Sequence, residues 1–259
     1  MRLLSYFNKS RVIVTGPIIG QFADFADDVV AKDHNTLFIS IGSSYLGCGS
    51  GLRQDLELEY LQGICERYDN ELCLVRGAFD DSMYFNTESF KSTRKGLYDI
   101  LKNIHFLEDY DVISTKIGDI LCIGGASRIA SSASNGEKIE TGVTRVNPSK
   151  VLERVESSKE GEDEVLEDIN PFTSFLSGKK INYVVAPLAI ASICDGLDDK
   201  SLEEDISFVT SIYDETLDGG AKIKKWLFNK MYEKSSSDTS QEQEKFEALE
   251  NFCNCREIS

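Results

Sequence analysis

Short apolar runs, each closed by a glycine, recur along the first third of the chain and alternate with segments of helical periodicity. The runs occupy residues 12–14, 37–41 and 72–76, and their length and composition are typical of buried strands. Segments 21–32 and 53–68 carry apolar residues at the spacing of a helix with one buried face. Buried strands that alternate with helices predict parallel pairing within an α/β layer. In the longer helix five residues are expected to face inward, namely Leu56, Leu58, Leu61, Ile64 and Cys65.

The pattern changes after about residue 100, where the apolar stretches become shorter and turns separate them. Three such stretches predict meander-like pairing of strands, and they lie at 104–107, 111–116 and 120–124. Three further strands are expected at 181–186, 225–228 and 250–255. Residues 131–150 are polar and rich in Ser, Gly and Asn, so we predict a weakly ordered excursion from the core. With 259 residues and 41% hydrophobic content, the chain is expected to form a single domain over 1–259.

The charge of the chain is strongly acidic, with 28 basic and 44 acidic residues and a net charge of −16. Such a surface repels phosphate backbones and anionic lipid heads, so we do not expect nucleic acid as a partner. Most of the excess of acidic over basic residues lies in two segments. Residues 151–168 hold eight acids and two bases, and residues 192–220 hold nine acids and one base. These segments are our candidates for a partner face, and solvated charge that only keeps the protein dissolved is the alternative.

The chain shows no targeting or membrane signal. No stretch approaches the roughly 18–20 apolar residues that span a bilayer, and the first residues lack the apolar run of a signal peptide. We therefore expect a cytoplasmic protein without a membrane span. The seven cysteines are scattered, which predicts reduced, buried thiols. Cys253 and Cys255 form the one close pair, but their spacing and the lack of a nearby histidine do not indicate a zinc site.

Loops follow the predicted strands at the ends where open α/β sheets collect ligands, and the first three of these loops contain glycine. After the first three strands the loops are Gly16-Pro17-Ile18-Ile19-Gly20, Gly42-Ser43-Ser44-Tyr45 and Gly77-Ala78-Phe79-Asp80-Asp81. After two later strands they are Pro187-Leu188-Ala189 and Asn229-Lys230-Met231-Tyr232. The order and spacing of these frames resemble the calcineurin-like metallophosphoesterase family over most of the chain, from about Val12 to Cys255. That family has G-D-x-H-G, G-D and G-N-H-[DE] in the first three loops and histidines in the later ones.

The resemblance implies a four-layered αββα sandwich of two mixed β-sheets flanked by helices, with a two-metal site at the strand ends. The residues found at or beside the expected ligand positions are Pro17, Ile19, Ser43, Ala78, Phe79, Asp80, Leu188, Lys230 and Tyr232. A two-metal site needs several carboxylates and imidazoles, and apolar side chains donate no electron pair to a metal. Asp80 alone retains a carboxylate, and the two histidines, His34 and His105, lie outside these loops. We therefore predict no catalytic residue, no metal and no cofactor in this vestigial cleft.

An emptied cleft is expected to fill with apolar side chains, because unpaired carboxylates around a lost metal would repel one another. We expect Phe79 and Ile19 to fill it, and we expect at least one of Asp80 and Asp81 to cap a turn or a helix. The resulting hypothesis is an inactive pseudoenzyme that binds or scaffolds proteins. The partner and the oligomeric state stay open.

Two alternatives to the pseudoenzyme follow from the same residues. One is an active phosphoesterase with a displaced or single metal, held by Asp80, Asp81 and neighbouring acids. The other is a sensor of phosphate or nucleotide, in which Lys230, Arg76 and Arg128 would contact the anion.

Overall fold

The computed structural model describes residues 2–48, 51–125, 181–194, 200–218, 222–230 and 243–259. Its strands in chain order are β1 (Leu3–Ser5), β2 (Arg11–Thr15), β3 (Thr36–Ile41), β4 (Glu71–Val75), β5 (Ile104–Phe106), β6 (Asp111–Thr115), β7 (Gly118–Cys122), β8 (Ile181–Val185), β9 (Lys225–Asn229), β10 (Phe246–Leu249) and β11 (Cys255–Glu257). Its α-helices are α1 (Phe22–Asp28), α2 (Gly51–Arg67), α3 (Thr87–Thr93), α4 (Lys95–Ile100) and α5 (Lys200–Asp218). Single 3-10 turns lie at Val30–Lys32 and Gln243–Lys245.

The strands form two mixed sheets. The first has the order β11-β2-β3-β4-β5, in which β2 to β5 are parallel and β11 joins the edge in the antiparallel direction. The second has the order β1-β6-β7-β8-β9-β10, in which β6 and β7 are antiparallel and all other neighbours are parallel. The parallel pairing predicted for the first three glycine-closed strands is therefore confirmed.

The two sheets pack face to face, and helices cover the outer face of each. Along β3, Leu37, Ile39 and Ile41 join the apolar cluster between the sheets, whereas Phe38 joins the cluster beneath the helices. This division follows from the alternation of side chains along a strand, and it explains why the whole strand is apolar. The helices α1 to α4 cover the five-stranded sheet, and α5 packs on the six-stranded sheet through residues such as Val209.

Three local predictions are wrong. The stretch at 104–107 is a strand, but β5 pairs in parallel with β4 instead of forming a meander with β6 and β7. The last strand was expected at 250–255, whereas Asn254 donates its backbone N–H to Asn251 in a turn there and two separate strands flank it. Leu56 is 58% exposed instead of buried. Apolar residues on two sides of α2 share the helical period, so periodicity alone does not say which side faces the sheet.

The remaining predictions concern cysteines, membrane helices and segments outside the described ranges. Four thiols are buried as expected, those of Cys65, Cys73, Cys122 and Cys194, but Cys48, Cys253 and Cys255 are exposed. No helix within the described part of the chain is long and apolar enough to cross a membrane. The predicted excursion at 131–150 and the acidic segment 151–168 lie outside the described residues.

Candidate functional site

The loops after β2, β3 and β4 meet at the carboxyl edge of the five-stranded sheet, as parallel pairing requires. The backbone N–H groups of Ile19 and Gly20 donate to the carbonyl oxygens of Ser43 and Ser44 over 3.2 and 3.0 Å. The Phe79 N–H donates to the Ser43 hydroxyl over 3.3 Å. Ser43 is buried, so its hydroxyl serves as an internal connection between two loops.

Loops of the six-stranded sheet reach the same place. The Asn229 side chain donates from Nδ2 to the Gly42 carbonyl oxygen over 3.4 Å, and its backbone N–H donates to Pro187 over 3.2 Å. Asn229 is buried and lies at the end of β9, so it joins both sheets at their carboxyl edges. We name the five loops, residues 16–20, 42–48, 77–81, 187–190 and 229–230, the loop cluster. It brings together the predicted site positions, apart from Tyr232, which lies outside the described residues.

Asp80 is the buried carboxylate of the loop cluster. Its Oδ2 accepts the Gly77 N–H over 2.8 Å, and its Oδ1 accepts the Leu46 N–H over 3.1 Å. Burial raises the pKa of Asp80 from 3.8 to about 6, and the backbone N–H groups that it accepts oppose that rise. Its carboxylate thus fastens the loop after β3 to the loop after β4. The expectation that one of the two aspartates organises a turn is confirmed.

Asp81 has a different environment from Asp80. It is exposed, its Oδ1 accepts the Met83 N–H over 2.9 Å, and its own N–H donates to Leu46 over 2.9 Å. Gly47 faces it with a φ of +79°, and a Cβ there would lie 2.7 Å from the Asp81 Cβ. Close approach and a left-handed backbone both demand glycine at this position. Asp81 is therefore another turn residue, and its carboxylate lies in water.

Phe79 fills part of the space between the loops. Its ring stacks on Tyr45, with centroids 5.0 Å apart and planes only 4° apart. It packs against the apolar cluster that holds Ala78 and the fully buried Leu188. The prediction of apolar filling agrees with this packing of Phe79. Tyr45 was missed because an aromatic residue in a loop carries no periodic signal.

Ile19 does not fill the cleft, so that expectation is wrong. Its side chain is 42% exposed, whereas the neighbouring Ile18 is fully buried. The backbone of Ile19 has a φ of +54°, a left-handed conformation that disfavours β-branched residues. In this turn Ile18 takes the inward position. Pro17, the preceding residue, is buried as well.

Two of the three cations proposed for an anion site are paired with carboxylates. Arg76 forms a buried two-point ion pair with Asp109, with Nη2–Oδ2 and Nε–Oδ1 distances of 2.8 and 3.2 Å. Gly124 makes room for it, since a Cβ there would lie 2.3 Å from Asp109 Oδ1. Lys230 is exposed and pairs with Glu250 over 3.4 Å. Arg128 lies outside the described residues.

The donor chemistry of the described residues does not provide a metal cage. They contain no group of three or more His, Cys, Asp or Glu side chains that could hold a metal ion. His105 pairs with Glu71 over 2.8 Å, and Glu71 begins β4 at the end of the sheet opposite the loop cluster. His34 is exposed in the turn before β3. Both histidines therefore lie outside the loop cluster.

The acidic segment 192–220 consists largely of α5 in its described part. Val209 and Ile212 face the six-stranded sheet, and the acids Glu203 and Asp214 are exposed on the other side. This is the ordinary amphipathic pattern of a surface helix. Its role as a partner face stays a prediction.

Family models, curated proteins and solved structures were compared with this chain, and none gives a significant match. The resemblance to metallophosphoesterases consequently stays a hypothesis. It depends on the glycine frames in the sequence and on the placement of their loops at one edge of the two sheets.

Proposed function

We propose that the chain is a catalytically inactive metallophosphoesterase-like protein that acts as a protein-binding or scaffold module. The observation that carries the proposal is the state of Asp80. Among the described positions where that family places metal ligands, Asp80 alone is a carboxylate, and both its oxygens accept backbone N–H groups. A carboxylate used in this way maintains the loops and is not presented to a substrate.

The arrangement of the sheets also supports the proposal. Two face-to-face mixed sheets with helices outside correspond to the αββα sandwich that the resemblance implies. The left-handed backbone at Ile19 is a costly feature for a β-branched residue. It is explained if the loop geometry was inherited from an ancestor with a different residue at this position. The fold is then kept, while the residue types that catalysis requires have been replaced.

Electrostatics favour the pseudoenzyme over an anion sensor. Arg76 is 5% exposed and engaged by Asp109, so a phosphate would have to displace a buried ion pair to reach it. Lys230 faces Glu250, and the chain as a whole is strongly acidic. Such a surface suits partners with positive charge.

The proposal is tested by hydrolysis of aryl phosphomonoesters and phosphodiesters with excess Mn²⁺. The variants are Asp80→Asn and, as the control, Asp99→Asn on an exposed aspartate of α4 outside the loop cluster. We expect all three proteins to show the rate of a blank without protein. Turnover by wild type that Asp80→Asn abolishes and Asp99→Asn keeps would establish the active alternative and overturn the proposal. Circular dichroism checks that each variant is folded.

A further inference from the structure

An apolar stripe on α2 is exposed in the part of the chain that the structure describes. Leu52, Leu56 and Tyr60 are 73%, 58% and 45% exposed. They are spaced four residues apart, so they share one face of the helix and form a continuous ridge. Leu56 was expected to be buried, and its exposure places it on this second face. Apolar side chains that stand together on a surface commonly mark an interaction site, whereas scattered ones do not.

The stripe forms one wall of a groove between α1 and α2. The groove has a volume of about 350 Å³ and is lined by Ala23, Leu52, Arg53, Leu56, Glu57 and Tyr60. The Tyr60 hydroxyl donates to Asp27 over 2.5 Å and thereby ties α2 to α1. From Leu52 to Tyr60 the ridge runs for about 12 Å, because a helix rises about 1.5 Å per residue. This length corresponds to two or three turns of an opposing helix.

The charge around the groove specifies its occupant further. Helix α1 carries three acids, of which Asp28 pairs with Lys32 just beyond the helix, and α2 carries four acids and two bases. The net charge of these residues is −4. On α1, Asp24, Asp27 and Asp28 are all exposed. A second copy of this chain is disfavoured as the occupant, because it would bring two acidic surfaces together. An anionic membrane would be repelled for the same reason. A cationic partner gains from the same field.

We propose that the groove between α1 and α2 docks an amphipathic helix with basic flanks from a partner protein. Leu and other apolar side chains of that helix would pack along Leu52, Leu56 and Tyr60, and its Lys or Arg residues would face the acids of α1. The inference deepens the proposed binding function by naming a surface and a class of partner. It can fail separately, because an inactive chain need not bind a helix here and an active one still could.

The test uses a fluorescein-labelled helical peptide of Leu and Lys, with leucines at i, i+4 and i+7. Its affinity is measured by anisotropy for wild type, for Leu52→Ser/Leu56→Ser, and for Ile100→Ser, which changes another exposed apolar residue at the end of α4. We expect the double variant to bind about tenfold more weakly and the Ile100 variant to bind like wild type. Equal binding by all three proteins, or no binding by wild type, would overturn the proposal.

Two further controls address charge and the nature of the occupant. A peptide with Glu in place of Lys should bind wild type at least tenfold more weakly, and Asp24→Lys/Asp28→Lys should reduce that preference. A Leu/Glu peptide that binds equally well would contradict the role of charge. Sedimentation that shows a dimer disrupted by Leu52→Ser/Leu56→Ser would instead assign the stripe to a second copy. If this variant is much less stable, the stripe is covered within the chain, and the proposal fails.

Discussion

The loop cluster and the α1–α2 groove are opposite in character. In the loop cluster, the buried carboxylate of Asp80 accepts two backbone N–H groups, and the rings of Tyr45 and Phe79 stack. In the groove, Leu52 and Leu56 are exposed next to acids. At the edge where an open α/β sheet usually carries chemistry, the described loops are thus joined by internal contacts, while apolar side chains are exposed on the helical layer. Binding is the function that this division favours.

The largest expected effect comes from breaking the buried ion pair between Arg76 and Asp109, beside the loop cluster. Asp109→Asn removes the carboxylate that the buried Arg76 guanidinium contacts at two points, and we expect the free energy of unfolding to fall by about 3–5 kcal/mol. Urea unfolding near pH 7 measures the change. Lys95→Gln, which breaks the exposed pair with Asp99, is the matched control and should cost less than about 1 kcal/mol. A loss for Asp109→Asn as small as the control would mean that the pair is solvated.

The next effect is a pH dependence carried by Asp80. Its pKa is about 6 in the folded protein against 3.8 ordinarily, so the folded state holds the proton more tightly than the unfolded chain. The stability that this proton contributes is fully present below about pH 4 and is lost as the pH rises through 6. Relative to Asp80→Asn, wild type should therefore lose roughly 2–3 kcal/mol between pH 4 and 7.

The free energies of unfolding of wild type and Asp80→Asn are measured between about pH 4 and 7. The contribution of the other carboxylates is the same in both proteins, so it cancels in the difference. Asp81→Asn, on the exposed neighbour, is the control for the loss of a loop carboxylate. A stability difference between wild type and Asp80→Asn that stays constant with pH would show that Asp80 titrates normally.

A smaller effect is expected when a lost ligand is restored. Pro17→Asp puts a carboxylate at a buried position, which should lower the free energy of unfolding by about 1–3 kcal/mol. Hydrolysis should stay at background, because the residues of a catalytic cluster act as a unit. Aryl-phosphate turnover with Mn²⁺ and urea unfolding test the two parts. Gln21→Asp, on the exposed residue that caps α1 just after this loop, should leave turnover at background without a loss of stability. Turnover by Pro17→Asp alone would revive the active alternative.

The smallest effect should be stabilising. Ile19→Asn replaces a β-branched residue at φ +54° with one that tolerates the left-handed region, and little apolar burial is lost. We expect the free energy of unfolding to rise by about 0.5–1 kcal/mol. Ile100→Asn changes a similarly exposed isoleucine on α4 and should give no gain. A loss of stability for Ile19→Asn would indicate that the isoleucine packs in the cleft after all.

Sequence patterns predicted the elements whose signal is local. The strands β2, β3 and β4 are short apolar runs closed by glycine, and their parallel pairing follows from the intervening helices. β1 was missed, since three half-exposed residues give no pattern and its partner β6 lies more than a hundred positions away. The pairing of β5 with β4 could not be predicted either, because tertiary packing decides which strands are neighbours in a sheet.

The candidate site shows the same division. The glycine frames and the turn role of Asp80 are readable from local motifs. Other contacts of the site join segments that are distant in the sequence, namely the ion pair of Arg76 with Asp109 and the hydrogen bond from Asn229 to Gly42. No local spacing in the sequence predicts such contacts. The uncovered stripe did carry a signal. Residues 52, 56 and 60 repeat every four positions, on a face of α2 different from that of the buried Leu58 and Leu61.

The unfolding temperature as a function of Mn²⁺ concentration tests most directly whether the loop cluster is structural. A metal that binds the folded state raises this temperature, by about 5 °C or more once the metal is well above its Kd. We expect wild type and Asp80→Asn to respond alike, because both proteins offer Mn²⁺ the same acidic surface, to which it binds weakly. A rise of several degrees in wild type that is missing from Asp80→Asn would place a metal at Asp80 and contradict the account.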